Sequence, residues 1–136
     1  MPTEGKEAPG VLFMCVHNAG RSQMAAGLLK HLTGNKVKVF SAGSKPVNEL
    51  NPVAVKAMAE IGIDISQNIP MQFNKSLMEE VDTVITMGCG DTCPILPGKN
   101  YLDWQLDDPA GQKIEKVREI RGQIENNVRL LIEEIL

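Results

Sequence analysis

The sequence predicts an α/β fold built on a mostly parallel sheet, and three observations point there. Residues 11–16 (VLFMCV) are an unbroken apolar run, as expected of a strand buried on both faces of a sheet. Strand-like runs then alternate with segments of helical periodicity, the pattern that lays strands parallel. A polar turn, residues 17–20, separates the first run from the first helix, and parallel sheets bind ligands at the carboxyl ends of their strands.

The elements follow in order. Residues 1–9 carry Pro, Gly and charges with little to bury, so they are expected to form a flexible tail on a single domain of residues 10–136. After the first strand a helix begins at Ser22, which is placed to cap it, and Met24, Ala25, Leu28, Leu29 and Leu32 supply its buried face. Gly34 and Asn35 stop that helix, and Val37, Val39 and Phe40 make a short second strand. Residues 41–46 read as loop. Asn51 and Pro52 open the next helix, with Pro at its first position and Val53, Ala54, Ala57, Met58 and Ile61 as its buried stripe up to Gly62. A short helix is expected over residues 74–80 and a β-branched strand over 81–87. Residues 88–94 form a loop, residues 101–104 a last short strand, and residues 107–111 a Pro- and Gly-containing loop. Ile114, Val117, Ile120, Ile124, Val128, Leu131, Ile132 and Ile135 recur at helical spacing, the signature of a long core-packing helix.

Composition narrows the function. At 136 residues the chain has room for one core. Fourteen Lys and Arg against seventeen Asp and Glu give a net charge of −3, which argues against a non-specific nucleic-acid binder. Aromatic residues are only 4%, too few for a base-stacking platform. No apolar run approaches the roughly 18 residues of a membrane span. The polar first ten residues lack the apolar stretch of a secretory signal, so the cytoplasm is the expected location. Three cysteines, an odd number, do not make a disulfide framework. They are core residues, metal ligands or reactive thiols.

The segment Cys15-Val16-His17-Asn18-Ala19-Gly20-Arg21-Ser22 carries the chemistry. A thiol closes a strand, and an arginine opens a helix at the far end of the turn. The intervening loop can curl so that its backbone N–H groups converge, and the helix N-terminus adds its positive end. That makes a cradle for a tetrahedral oxyanion, with Arg21 offering bidentate contacts. Residues 16–22 are therefore the expected substrate-binding set. Asn18 can hold the loop through its side chain, and Gly20 is expected to supply a backbone conformation closed to other residues. His17 is expected to contribute its backbone N–H rather than its ring. A cysteine at a helix N-terminus beside a cation is acidified, and Ser22 is placed to donate a hydrogen bond to the resulting thiolate. Such a thiolate beneath a bound oxyanion is positioned for in-line attack. With three Cys, four Arg and five Ser in the chain, a C-x₅-R-S match arises by chance only about 0.003 times.

The loop CVHNAGRS resembles the C-x₅-R-S loop of the low-molecular-weight protein tyrosine phosphatase family. The segments RSQMAAG, FSAGSKP, NPVAVKAMAEIGIDIS, CPILPGKNYLDW and DDPAGQ together are similar to arsenate reductases built on that phosphatase fold. This resemblance implies a three-layer α/β/α architecture with a four-stranded parallel sheet of order 2-1-3-4. It implies that Cys15 is the nucleophile, that Arg21 stabilises the oxyanion and that Asp108, just before Pro109, is the proton donor. Phosphatases of the family usually carry aromatic residues after this Pro, whereas Ala110 and Gly111 follow here. Ser41 would support the loop from the second strand. The potassium-binding carboxylate of some members would fall at Ala26, so no such site is expected.

A phosphatase needs one thiol, but arsenate reduction needs two electrons from a second one. Cys89 and Cys93 are the candidates: four residues apart, their Cα atoms would lie about 6 Å apart in a helical turn, within disulfide range. Two other readings stand beside this one. A zinc half-site would have only two ligands, and inert thiols would simply be small hydrophobes. The resemblance implies no bound cofactor and an external reductant, either thioredoxin or mycothiol with a mycoredoxin. The expected function is reduction of arsenate to arsenite, an arsenic detoxification. Hydrolysis of phosphate monoesters is the first alternative, and a non-catalytic oxyanion or redox sensor the second. His31 is expected to meet the C-terminal end of the first helix dipole, and Tyr101 and Trp104 to pack in the core or pocket wall.

Overall fold

The computed structural model describes residues 9–34, 36–88 and 98–136. The described elements run β1 (Gly10–Cys15), α1 (Arg21–Thr33), β2 (Lys38–Gly43), α2 (Pro52–Ala59), α3 (Lys75–Met78), β3 (Thr83–Thr86), β4 (Asn100–Asp103) and α4 (Ile114–Ile135). All strand pairs are parallel, and the sheet order is β2-β1-β3-β4, as the resemblance implies. The expected tail, residues 1–9, lies outside the described residues except for Pro9, and so do Asn35 and the two cysteines Cys89 and Cys93.

β1 is all apolar or Gly because it is central. It pairs with β2 on one side and β3 on the other, and every one of its six residues is buried. Its side chains alternate between two cores. Val11, Phe13 and Cys15 face the larger one, with Met24, Leu28 and Leu29 of α1, Ala54 and Met58 of α2, and the stripe of α4. Leu12 and Met14 face a smaller cluster with Ala42, Leu77, Val81 and Val84, covered by Phe40, Phe73 and Tyr101. Val117, Ile120, Ile124, Val128 and Leu131 of α4 are all buried, each contributing about 1.5–3 kcal/mol of hydrophobic stabilisation. Trp104 packs on Phe13 with ring centroids 5.7 Å apart. Glu60 fastens α2 to α4: it accepts two hydrogen bonds from Arg118, at 3.0 and 2.7 Å, and one from Arg121 at 2.9 Å. Those guanidinium contacts hold its carboxyl well below the usual range, at about 2.

Three expectations change. Ser22 does not cap α1: Gly20 stands at the N-cap position without any side-chain cap, and Ser22 turns into the site instead. Residues 41–43, read as loop from their turn-forming composition, extend β2 because each pairs in register with residues 13–15 of β1. Ile61 lies past the end of α2 and is 37% exposed rather than buried. The remaining stops hold: Gly34 and Gly62 have positive φ, 61° and 81°, which glycine adopts freely where a helix ends. Asn51 caps α2, accepting from the N–H of Val53 at 2.9 Å.

Candidate active site

β1 and β2 end together, Cys15 opposite Gly43. The chain beyond β2 then holds the loop after β1 by its carbonyls. Ser44 N–H donates to Cys15 O (3.2 Å), Lys45 to Val16 O (2.8 Å), Val47 to His17 O (3.2 Å) and Asn51 to Ala19 O (2.9 Å). The Asn18 carbonyl accepts from Gln23 Nε2 at 3.1 Å. A planar trans peptide points its C=O and the next N–H in opposite directions. Drawing these carbonyls outward therefore turns the N–H groups of residues 16–20 to the inside of the loop. The Asn18 N–H shows it directly, since it donates to Cys15 Sγ at 3.2 Å. Gly43 permits the close approach: a Cβ there would lie 2.6 Å from the Val16 carbonyl oxygen.

Asn18 is the hub of the loop. It is fully buried and has the one positive φ (51°) of any non-glycine residue among those described. Its Nδ2 donates to Ser22 Oγ at 2.7 Å, and its Oδ1 accepts from Met71 N–H (2.8 Å) and Gln23 Nε2 (3.1 Å). The Ser22 hydroxyl lies 2.9 Å from Cys15 Sγ, and when Cys15 is a thiolate, which has no proton to give, the hydroxyl is the donor. A thiolate at Cys15 is thereby met by a hydroxyl and a backbone N–H.

Arg21 closes the other side. It is 8% exposed; one Nη donates to Leu106 O at 3.3 Å and the other lies 3.6 Å from Asp108 Oδ2. Gly88, at the exit of β3, abuts it: a Cβ there would sit 2.4 Å from Arg21 Nη1. Asp108 is half exposed, and its Oδ1 accepts from the N–H of Ala110 at 2.9 Å. Its neighbour Asp107 pairs with Lys116 at 2.7 Å, and that contact lowers the Asp107 carboxyl below its ordinary value. Cys15, His17, Ala19, Gly20, Arg21, Asp108 and Pro109 line one cavity of about 40 Å³. The Asp108 loop therefore faces the thiol loop, as the pairing of the two motifs requires.

Gly20 also matters sterically: a Cβ there would lie 2.6 Å from Pro109 Cγ, so Gly20 is the seat on which the Asp108 loop rests. The His17 side chain is exposed, while its backbone is part of the ring. Ser41, in register with Phe13, lines a separate groove together with α1 residues such as Ala26 and Lys30. His31 lies in the last turn of α1, as expected, and Tyr101 packs on the smaller core. Gln23 and Asn68, which complete the network behind Asn18, carry no sequence signal: a Gln among the polar positions of a helix reads as a solvated one. Among the described residues no group of three His, Cys, Asp or Glu could hold a metal, and no helix is long and apolar enough to cross a membrane.

Residues 10–136 match the family model described as low molecular weight phosphotyrosine protein phosphatase. The chain is 40% identical to arsenate reductase 1 of Staphylococcus epidermidis over 119 residues, 84% of this chain and 88% of that protein. A solved thioredoxin-dependent arsenate reductase of Corynebacterium glutamicum shares 45% identity with a TM-score of 0.84. That match covers 96% of this chain, which spans 63% of the other. A solved arsenate reductase in its phosphate-binding state shares 38% identity with a TM-score of 0.83, covering 94% of this chain and 99% of that one.

Proposed function

The chain belongs to the low molecular weight phosphotyrosine protein phosphatase family, and on that premise we propose that it reduces arsenate to arsenite through a thiol cascade that starts at Cys15. The observation that carries this reading is the Cys15 thiol, held by Ser22 and the Asn18 N–H at the base of a cavity walled by Arg21 and Asp108. Relatives of 40% and 45% identity that bear the name arsenate reductase supply the substrate.

The geometry around Cys15 supports the first of the proposed steps. Arsenate enters the cavity, and its oxygens take the N–H groups of residues 16–20 and the Arg21 guanidinium, displacing Asp108 from Arg21. Cys15 Sγ attacks arsenic in line and forms an S–As bond. The As–O bond opposite breaks, and Asp108 gives its proton to the departing oxygen, which leaves as water. A second thiolate then attacks Cys15 Sγ. The S–As bond breaks, its electron pair passes to arsenic, and arsenite leaves while a disulfide forms at Cys15. The arsenic gains two electrons and the two sulfurs lose them.

Cys89 and Cys93 are the internal thiols available for that attack, and Gly88, which precedes Cys89 in the chain, abuts Arg21. The disulfide is finally reduced by an external thiol donor. Thioredoxin is the first candidate, since a relative bears that dependence in its name. A mycothiol–mycoredoxin pair is the alternative: there mycothiol attacks the arsenate to form a conjugate, and mycoredoxin reduces that conjugate with release of arsenite. Such a reaction suits the cytoplasm, where thiol reductants are kept reduced.

Phosphate monoester hydrolysis is the competing reading, because the same cradle accepts phosphate. Ala110 and Gly111, which follow Pro109 in place of aromatic residues, offer little wall for an aryl group. Steady-state assays decide between them. Arsenate-dependent oxidation of NADPH through thioredoxin and its reductase is expected to exceed aryl phosphate hydrolysis in kcat/KM. Thiol-independent hydrolysis with no arsenite formed, under either reductant system, would overturn the proposal.

A further inference from the structure

Of the five consecutive carbonyls of residues 15–19, four are drawn outward by backbone N–H groups of residues 44–51. The fifth, on Asn18, is held by a side chain: Gln23 Nε2 donates to it at 3.1 Å and also to Asn18 Oδ1 at 3.1 Å. Gln23 is 2% exposed, on the first turns of α1. Its Oε1 accepts from Asn68 Nδ2 at 3.1 Å. That acceptor bond fixes which end of the amide faces Asn18, because only an oxygen can receive the Asn68 donor and only a nitrogen can serve Asn18.

We propose that Gln23 is a positioning residue for oxyanion binding. By holding the Asn18 carbonyl outward it aims the Ala19 N–H into the cavity, and by holding Oδ1 it keeps Asn18 in its left-handed conformation with its N–H on Cys15 Sγ. It touches neither substrate nor thiol. The role concerns the loop's fit to a tetrahedral oxyanion and stands whether the reaction proposed above is reduction or hydrolysis.

The loop's N–H groups contact the oxyanion in the ground state and in the transition state alike, so losing one of them weakens binding more than turnover. Gln23→Leu, which keeps bulk and removes all three hydrogen bonds, is expected to weaken inorganic phosphate binding about ten-fold, or about 1.4 kcal/mol. KM for arsenate rises by a similar factor while kcat stays within about three-fold. The pH profile of Cys15 alkylation by iodoacetamide moves as well, because the Asn18 N–H no longer meets the sulfur squarely. Gln67→Leu, an exposed residue lining the groove next to Asn68, serves as the control and changes none of these.

A Gln23→Leu protein that merely melts earlier, with unchanged phosphate affinity and alkylation profile, would overturn the proposal and make Gln23 a packing residue. Should that variant not fold, Asn68→Ala decides: on the exposed side of the network, it releases the Gln23 amide to rotate and is expected to weaken phosphate binding about three-fold. Unchanged affinity in that variant would equally overturn it. Phosphate binding and alkylation do not require arsenate turnover, so a failure of the reductase reading leaves this test intact.

Discussion

The loop of residues 15–22 is buried except at Val16 and His17, and its five leading carbonyls are all tied down. The loop of residues 107–111, across the same cavity, is exposed except at Pro109. It is held by one surface ion pair, one Asp108–Arg21 contact of 3.6 Å and the seat of Pro109 on Gly20. The difference follows from what each must do. A cradle works by having its donors in place when the oxyanion arrives, at no cost of reorganisation during the reaction. In the proposed reaction the proton donor would have to move: Asp108 would leave Arg21 when the substrate takes that guanidinium, and the loop would open again to release product. The proposed binding machinery thus sits on buried hydrogen bonds, and the proposed acid on contacts that are readily broken.

Substitutions can break or sharpen that contrast. The largest effect is expected from Cys15→Ser, which abolishes arsenite formation; the folded state and phosphate binding survive, since the loop's carbonyls are tied by residues 44–51 and Gln23 and a serine hydroxyl still accepts from the Asn18 N–H. Mass spectrometry after arsenate treatment would show no oxidation at this position. Next comes Asp108→Asn. It removes the proton and leaves the cradle intact, so kcat falls about 10²–10⁴-fold while phosphate affinity holds within a few-fold. A comparable loss of phosphate affinity would mean that the two loops are not separable.

Gly20→Ala tests the seat itself. The added Cβ, 2.6 Å from Pro109 Cγ, pushes the exposed loop away rather than the buried one. The expected loss is about ten-fold in kcat, with a smaller change in KM, because acid placement acts on the chemical step. Lys116→Ala frees Asp107 and is expected to change turnover less than about two-fold, since an exposed pair constrains little and is screened by salt.

Smallest for catalysis, and a check that the acid loop is distinct from the scaffold behind it, is Glu60→Gln. Glu60 is held at about 2 in the folded protein, below its ordinary 4.5. A lowered carboxylate stabilises the fold above the unfolded value, and that contribution fades as pH falls from there through the folded value. Thermal melts from about pH 5 to about pH 2 should therefore show wild type losing more stability than Glu60→Gln, with no difference in arsenate turnover at neutral pH.

The same contrast governs what is legible in the sequence. The thiol loop is contiguous, so the spacing of Cys15, Arg21 and Ser22 alone exposes its chemistry. The sheet order is legible only through the family resemblance. The strand between Lys38 and Gly43 reads too short, because Ser41, Ala42 and Gly43 look like turn residues until β1 pairs with them. Ser22 looks like a helix cap because a Ser ahead of an apolar run usually is one. Its hydroxyl has a buried thiol and an amide to answer instead. Gly20 stands out in the sequence as a loop glycine, but its contact with Pro109, far along the chain, is one that no local pattern encodes. Gln23 and Asn68 are invisible for the same cause: their bond joins residues 45 positions apart.

A single turnover tests the central claim most directly. The protein is reduced, freed of every small thiol and mixed with arsenate, and arsenite and free thiols are counted together. One arsenite per chain is expected, matched by the loss of two thiols and by a disulfide that thioredoxin then reduces; in the mycothiol alternative arsenite forms only once mycothiol and mycoredoxin are added. Arsenate turned over by neither the protein alone nor the protein with either reductant, with Cys15 still free and alkylatable, would contradict it.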